Sequence, residues 1–132
     1  MNVITFDLET TGLLDDPNAR PVEIGAVRHN LDTGEIIGTF SNFLRPHKTA
    51  LDEAKFALCK RISGIEKEQI LEANDYRIVL MDFLSWIKDD LVYSWNLPFD
   101  QRMLARLFED CRIDQPDLHR ICQESKVRYG GC

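Results

Sequence analysis

TFDLETTGL, Thr5–Leu13, is the stretch from which the rest of the chain is read. It completes an alternating, β-branched run, NVITFDLE, that predicts a strand over residues 2–9. In a strand, side chains at i and i+2 share a face. Asp7 and Glu9 therefore point the same way. Two carboxylates so placed repel each other and resist losing water. No Lys or Arg occurs between Met1 and Arg20 to neutralise them. A divalent cation is the other solution, because hard ions such as Mg²⁺ and Mn²⁺ take oxygen from a few carboxylates plus waters. Taken alone, the pair also fits an edge strand with one solvated face.

Outward from this stretch, TTGLLDDPNARP is a loop by its Gly, Pro, Asn and Asp content. VEIGAVRHN predicts a second strand, with Val22, Ile24 and Ala26 on one face and Glu23, Gly25 and Val27 on the other. DTG, Asp32–Gly34, signals a hairpin into a third strand, EIIGTFSNFLRP. These three strands make a β-meander. The pattern then turns helical. ALDEAKFALCKRI and EKEQILEA are short helix candidates. DYRIVLMDFLSWIKDD carries Tyr76, Val79, Leu80, Phe83, Leu84 and Ile87 at i, i+3, i+4 spacing, an amphipathic helix. LVYSW is a short apolar strand. NLPFDQRMLARLFEDC then aligns Phe99, Met103, Leu104, Leu107, Phe108 and Cys111 on one helix face, with Asn96 as N-cap and Pro98 in the first turn. Residues 112–132 read as a helical tail, with a last helix from Asp117 to Lys126. The whole is a mixed α/β layer in a single domain, 1–132.

Composition agrees. A chain of 132 residues with 44% hydrophobic content can bury a core without staples. It has no apolar run of membrane-spanning length and no signal-peptide pattern, so the expectation is a cytoplasmic protein with no membrane partner. The four cysteines, Cys59, Cys111, Cys122 and Cys132, form no C-x-x-C pair and match no zinc module, which predicts free thiols. A net charge of −6 excludes a protein that coats nucleic acid by bulk positive charge. The acidity lies in the first hundred residues, while Arg102, Arg106, Arg112, Arg120, Lys126 and Arg128 make the remainder slightly basic. Trp86 and Trp95 could stack bases, but their apolar neighbours predict core or core-edge positions.

A third acid, Asp100, follows the LVYSW strand in the first turn of a helix, where the dipole favours negative charge. The carboxyl end of a strand is a common place for a site in an α/β sheet. Asp100 can meet Asp7 and Glu9 only if the strand at 91–95 lies beside the first one.

With these residues in view, FDLETTGL resembles the first motif of the DnaQ-like, or DEDD, 3′→5′ exonucleases. PVEIGAV resembles their second strand, ISGI (Ile62–Ile65) a short motif before the middle helix, and NLPFDQRML their second acid motif. The order fits, over about residues 2–108. The resemblance implies the ribonuclease-H-like exonuclease fold, with the meander joined by a parallel strand and flanked by helices, C-terminally incomplete here. It implies that Asp7, Glu9 and Asp100 bind two Mg²⁺ or Mn²⁺ ions. It also implies that Thr10, Thr11, Gly12 and Leu13 line the pocket of the 3′-terminal nucleotide, with Glu23 facing it and Ile65 packing near the terminal base. Two metals about 4 Å apart can clamp the attacking water and the leaving oxygen, so a net-acidic protein can act on a polyanion.

The family's third motif is a His (or Tyr) followed by a final Asp, and the His names the DEDDh subtype. Only residues 101–132 follow Asp100. HRICQE offers His119 and Glu124 at the right mutual spacing, with Glu in place of Asp; its plain reading is a surface helix. His29 and His47 are expected to be exposed. Three expectations stand: a piece of a longer exonuclease, a compact variant using His119 and Glu124, or a module that binds nucleic acid ends or a protein without cutting. The implied partners are the 3′ end of single-stranded DNA or RNA and a protein such as a polymerase or larger assembly.

Overall fold

The alternation around Asp7 becomes the centre of a four-stranded sheet in the computed structural model, which describes residues 1–114. The strands are β1 (Asn2–Thr10), β2 (Pro21–Asn30), β3 (Ile36–Phe43) and β4 (Leu91–Tyr93). Their order is β3-β2-β1-β4. β1–β2 and β2–β3 pair antiparallel, while β4 pairs parallel with β1. The meander and the parallel neighbour are therefore both present, and the fold is the mixed α/β arrangement the resemblance implies.

The period-2 pattern sorts the sheet faces. Ile4, Phe6 and Leu8 of β1, with Ile24 and Ala26 of β2 and Phe40 of β3, point inward and are buried. Two helices cover them: α3 (Tyr76–Ile87) and α4 (Leu97–Cys111). From α3 come Tyr76, Val79, Leu80 and Phe83; from α4, Leu97, Met103, Leu104, Leu107 and Phe108. Leu97 is fully buried although it lies off the stripe expected from the sequence. The Phe83 ring sits between Phe6 and Phe40, with centroids 6.1 and 5.3 Å away. Such tilted pairs add to plain area burial.

Two shorter helices, α1 (Glu53–Ser63) and α2 (Lys67–Leu71), build a smaller cluster of Val22, Phe56, Cys59, Ile65 and Ile70. A 3-10 turn at Lys48–Ala50 precedes α1, so the helix starts at Glu53 rather than Ala50. Asp52 caps α1 by accepting the Lys55 amide, and Gly64 ends it at φ 72°, a conformation that favours glycine. Asp75 caps α3 in the same way, accepting the Arg77 amide.

Two expectations change. β4 stops at Tyr93, and Ser94 and Trp95 fall outside it. Trp95 is not at the core edge: it is 97% exposed. Trp86 is half-buried against Phe40, with the Arg28 guanidinium over its ring. Arg28 also pairs with Asp90 at 2.7 Å. Cys59 and Cys111 carry free thiols; Cys122, Cys132 and the helix expected from Asp117 to Lys126 lie outside the described residues. No helix among the described residues is long and apolar enough to cross a membrane.

Candidate active site

Because β1 turns its apolar side chains inward, Asp7 and Glu9 fall on the opposite face. Asp7 is exposed and Glu9 half-buried, which removes the apparent conflict of acids on a core strand. The parallel register sets Thr5 beside Tyr93, so the chain leaves β4 next to Asp7 and enters α4 after Ser94, Trp95 and Asn96. Asn96 is the N-cap by position but makes no side-chain capping bond. Asp100 lies in the first turn of α4 and is only 4% exposed.

Electrostatics shows the convergence. Burial pushes the Asp100 carboxyl up to about 6, and the charges of Asp7 and Glu9 push the same way; the Ser94 hydroxyl opposes the shift. Ser94 Oγ is itself buried and lacks a well-formed hydrogen bond among the described residues. A fourth carboxylate joins: Glu23 stands directly opposite Glu9 across β1 and β2. Burial first, then Glu9 and Asp7, raise Glu23 above the ordinary carboxylate range. A β-bulge follows Glu9 at Thr10, a feature that re-aims side chains at the end of a ladder. Glu9 Oε2 accepts from Ser63 Oγ at 2.6 Å, and Asp7 Oδ1 accepts from the Leu8 amide at 3.0 Å.

The ion pairs of the described residues all lie elsewhere, so none supplies a Lys or Arg to these four acids. Their chemistry suits a hard divalent cation: oxygen donors only, one of them deeply buried and electrostatically uncompensated. As they stand, however, no three of the described His, Cys, Asp or Glu side chains are grouped tightly enough to enclose an ion. An ion here would draw them together or complete its shell with water or substrate oxygens, as Mg²⁺ commonly does.

The loop after β1 is built as a fixed rim. Thr11 is 1% exposed. Its hydroxyl accepts the Arg20 amide at 3.0 Å, and its own amide donates to the Arg20 carbonyl at 3.0 Å, closing the neck. Thr10 Oγ1 donates to the Gly12 carbonyl at 2.7 Å. A Cβ at Gly12 would come within 3.3 Å of Ala19 Cβ, so the closed loop leaves little room for a side chain there. Leu13 is 67% exposed at the rim. From α4, the Arg106 guanidinium donates to the carbonyls of Asp16 (2.7 Å), Leu14 (2.9 Å) and Ala19 (3.0 Å). Arg20 forks onto Asp110 at 2.7 and 3.2 Å. One helix thus carries Asp100 and clamps the rim.

Of the residues expected at the site, Asp7, Glu9, Glu23 and Asp100 are brought together, and Thr10–Leu13 adjoin them. Ile65 is 4% exposed and packs into the smaller core cluster, which leaves its side chain almost no surface for a base. Cys59, also in that cluster, hangs under the bulge with Sγ 3.8 Å from the Thr10 carbonyl. His29 is half-buried, opposite Val3, and His47 is exposed and accepts the Thr49 amide. His119 and Glu124 lie outside the described residues. Ser63, Ser94, Arg106 and the exposure of Trp95 escaped sequence reasoning. Ser63 at least lies inside the ISGI motif.

Comparison with known proteins agrees with the fold. The family model described as an exonuclease, RNase_T, matches residues 4–127. Among curated proteins the chain is similar to the PolC-type DNA polymerase III of Oceanobacillus iheyensis, 33% identical over 111 residues, and of Bacillus subtilis, 34% identical over 101 residues. These alignments cover 84% and 76% of this chain but only 7% and 6% of the relatives, so the chain spans a small fraction of their length. Among solved structures it resembles the nuclease domain of 3′hExo, a DEDDh family member bound to rAMP: TM-score 0.75, 20% identity, 99% of this chain and 72% of that one. It also resembles E. coli Exonuclease I in complex with a dT13 oligonucleotide: TM-score 0.70, 18% identity, 92% of this chain and 25% of that one. These two likenesses are of fold.

Proposed function

We propose, from the premise that this chain belongs to the RNase_T exonuclease family, that it removes nucleotides from the 3′ end of single-stranded nucleic acid by metal-assisted hydrolysis. The observation that carries this reading is the convergence of Asp7, Glu9 and Asp100 without a Lys or Arg partner among the described residues. A structural ion pair would have kept its cation. A site that receives a cation with its substrate leaves these acids unmatched.

Asp7, Glu9 and Asp100 would hold two Mg²⁺ or Mn²⁺ ions, with Glu23 alongside. Such ions supply a nucleophile at neutral pH and charge stabilisation for both the attacking and the leaving oxygen. The protein's own residues do the rest. Ser63 fixes the Glu9 carboxylate by its 2.6 Å bond, the kind of outer contact that orients a ligand. The Ser94 hydroxyl favours the ionised form of Asp100, the form that binds a cation. Thr11 uses its side chain to close the loop, so contact with the terminal nucleotide falls to backbone, Thr10 and the exposed Leu13. Without a cation the cluster repels phosphate, so binding and cleavage of the scissile end require it. Similarity to PolC-type polymerases makes a polymerase or larger assembly the protein partner we propose.

The experiment is incubation of a 5′-labelled single strand, DNA and RNA in turn, with Mg²⁺ or Mn²⁺. A shortening ladder that vanishes in Asp7→Ala is the expected result. Intact strands under every metal, or equal cleavage by Asp7→Ala, would refute the reading.

One observation favours a second reading. The acids are not grouped tightly enough to enclose an ion as they stand, and the described residues place no histidine beside them. A module of this fold that holds nucleic acid ends without cutting would bind a nucleoside 5′-monophosphate with no turnover. Robust turnover would rule it out.

A further inference from the structure

The outer face of the sheet beside the acids holds an open groove of about 610 Å³. Its floor is two cross-strand rows. Asp7, Gly25 and Ser41 form one, and Thr5, Val27 and Thr39 the other. Gly25 makes the depression, since a Cβ built there would meet nothing within 4 Å. Trp95 forms the wall. It sits just past the end of β4, between buried Ser94 and the cap of the helix that carries Asp100, and it is 97% exposed. Leaving so large an apolar ring in water forfeits the burial that aromatic side chains normally contribute, and every base offers a flat face to cover it.

We infer that Trp95 is the stacking platform for a base of the single strand just upstream of the 3′-terminal nucleotide, held in the groove over Gly25. This rests on the exonuclease reading for the direction of the strand. Asp7 belongs to both the acid cluster and the groove, so a strand whose scissile phosphate lies at the acids continues into the groove without a gap. Among the described residues no Lys or Arg lines the groove, so the contact they offer is with base and sugar rather than phosphate. The hydroxyls of Thr5, Thr39 and Ser41 suit ribose or base edges. Stacking tolerates any base, so the groove would set affinity and strand length requirement rather than sequence.

The test is binding, in Mg²⁺, of a short single-stranded oligonucleotide whose 3′-terminal linkages resist hydrolysis, read by tryptophan emission and by anisotropy of a 5′ label. Trp95→Ala should lose the emission quench and bind about 5- to 100-fold more weakly, the range stacking commonly carries, while Trp95→Phe keeps most of the affinity. The wild-type to Trp95→Ala ratio should not change with salt, since no counterions are released by stacking. A single abasic nucleotide, moved stepwise from the 3′ end, should cancel the Trp95→Ala effect at one position. Gly25→Val should fill the floor and weaken binding with no loss of thermal stability, because β-branched residues favour strands. Equal affinity of Trp95→Ala and wild type, or a loss that no abasic position cancels, would overturn the inference. If binding depends on Trp95 but no metal supports cleavage, the exonuclease reading fails and the stacking site stands. If cleavage proceeds and Trp95 is neutral, only the stacking site fails.

Discussion

Replacing Asp100 by asparagine should make the metal-free protein more stable, not less. Asp100 is 4% exposed, and its carboxyl is shifted from 3.8 to about 6 in the folded chain. A group that holds its proton more tightly when folded opposes folding once it ionises. The penalty is absent below about pH 3.8, grows as pH rises through about 6, and is complete above it. At 1.36 kcal/mol per pH unit, a shift of this size amounts to roughly 2–3 kcal/mol at pH 7.5. The asparagine side chain has the same shape, so little packing is lost. Urea unfolding at pH 7.5 should therefore show Asp100→Asn stabilised by roughly 2–3 kcal/mol, and at pH 4 the difference should shrink to a few tenths. Saturating Mn²⁺ closes the gap from the other side. A ligand at about 100 times its Kd adds about 2.7 kcal/mol to the state that binds it, and only wild type should gain. A variant that is neutral or destabilised at pH 7.5, with no pH dependence, would refute the assignment of Asp100 to a buried, uncompensated charge.

Arg106→Ala should raise KM for the oligonucleotide about tenfold or more with a smaller change in kcat, because the rim at Leu14, Asp16 and Ala19 loses its three clamps; steady-state kinetics would show it, and recovery by added guanidinium would tie the effect to this contact. Ser63→Ala should weaken Mn²⁺ binding by about 10-fold, read by calorimetry, since outer contacts to metal ligands commonly carry 10- to 100-fold. Unchanged affinity would remove Ser63 from the site. Phe83→Ala should cost roughly 3–5 kcal/mol in urea unfolding, the usual penalty for emptying a fully packed aromatic position.

Much of this is visible in the amino-acid sequence because local pattern and chemistry agree there. The alternation through TFDLE separates Ile4, Phe6 and Leu8 from Asp7 and Glu9, and the sheet places them accordingly. The NLPFD stretch announces a helix start with an acid in its first turn, and α4 begins at Leu97. What stays hidden depends on register and distance. Glu23 becomes a neighbour of Glu9 only through the β1–β2 pairing. Arg106 reaches carbonyls some ninety residues earlier in the chain, a contact no local window contains. Trp95 misleads because apolar neighbours on one side suggest burial, whereas β4 ends two residues before it and the chain turns outward. The resemblance sets Ile65 near a base, yet its side chain belongs to the core with Val22.

The most direct measurement uses a single strand carrying its label on the 3′-terminal nucleotide. In Mn²⁺ the first labelled product should be a mononucleotide, released before any shorter strand is detected. Release should stop on adding EDTA and be absent in Asp100→Asn, although that variant is the more stable protein. Labelled fragments longer than a mononucleotide, or release that persists in Asp100→Asn, would contradict a 3′-end hydrolase built on Asp7, Glu9 and Asp100.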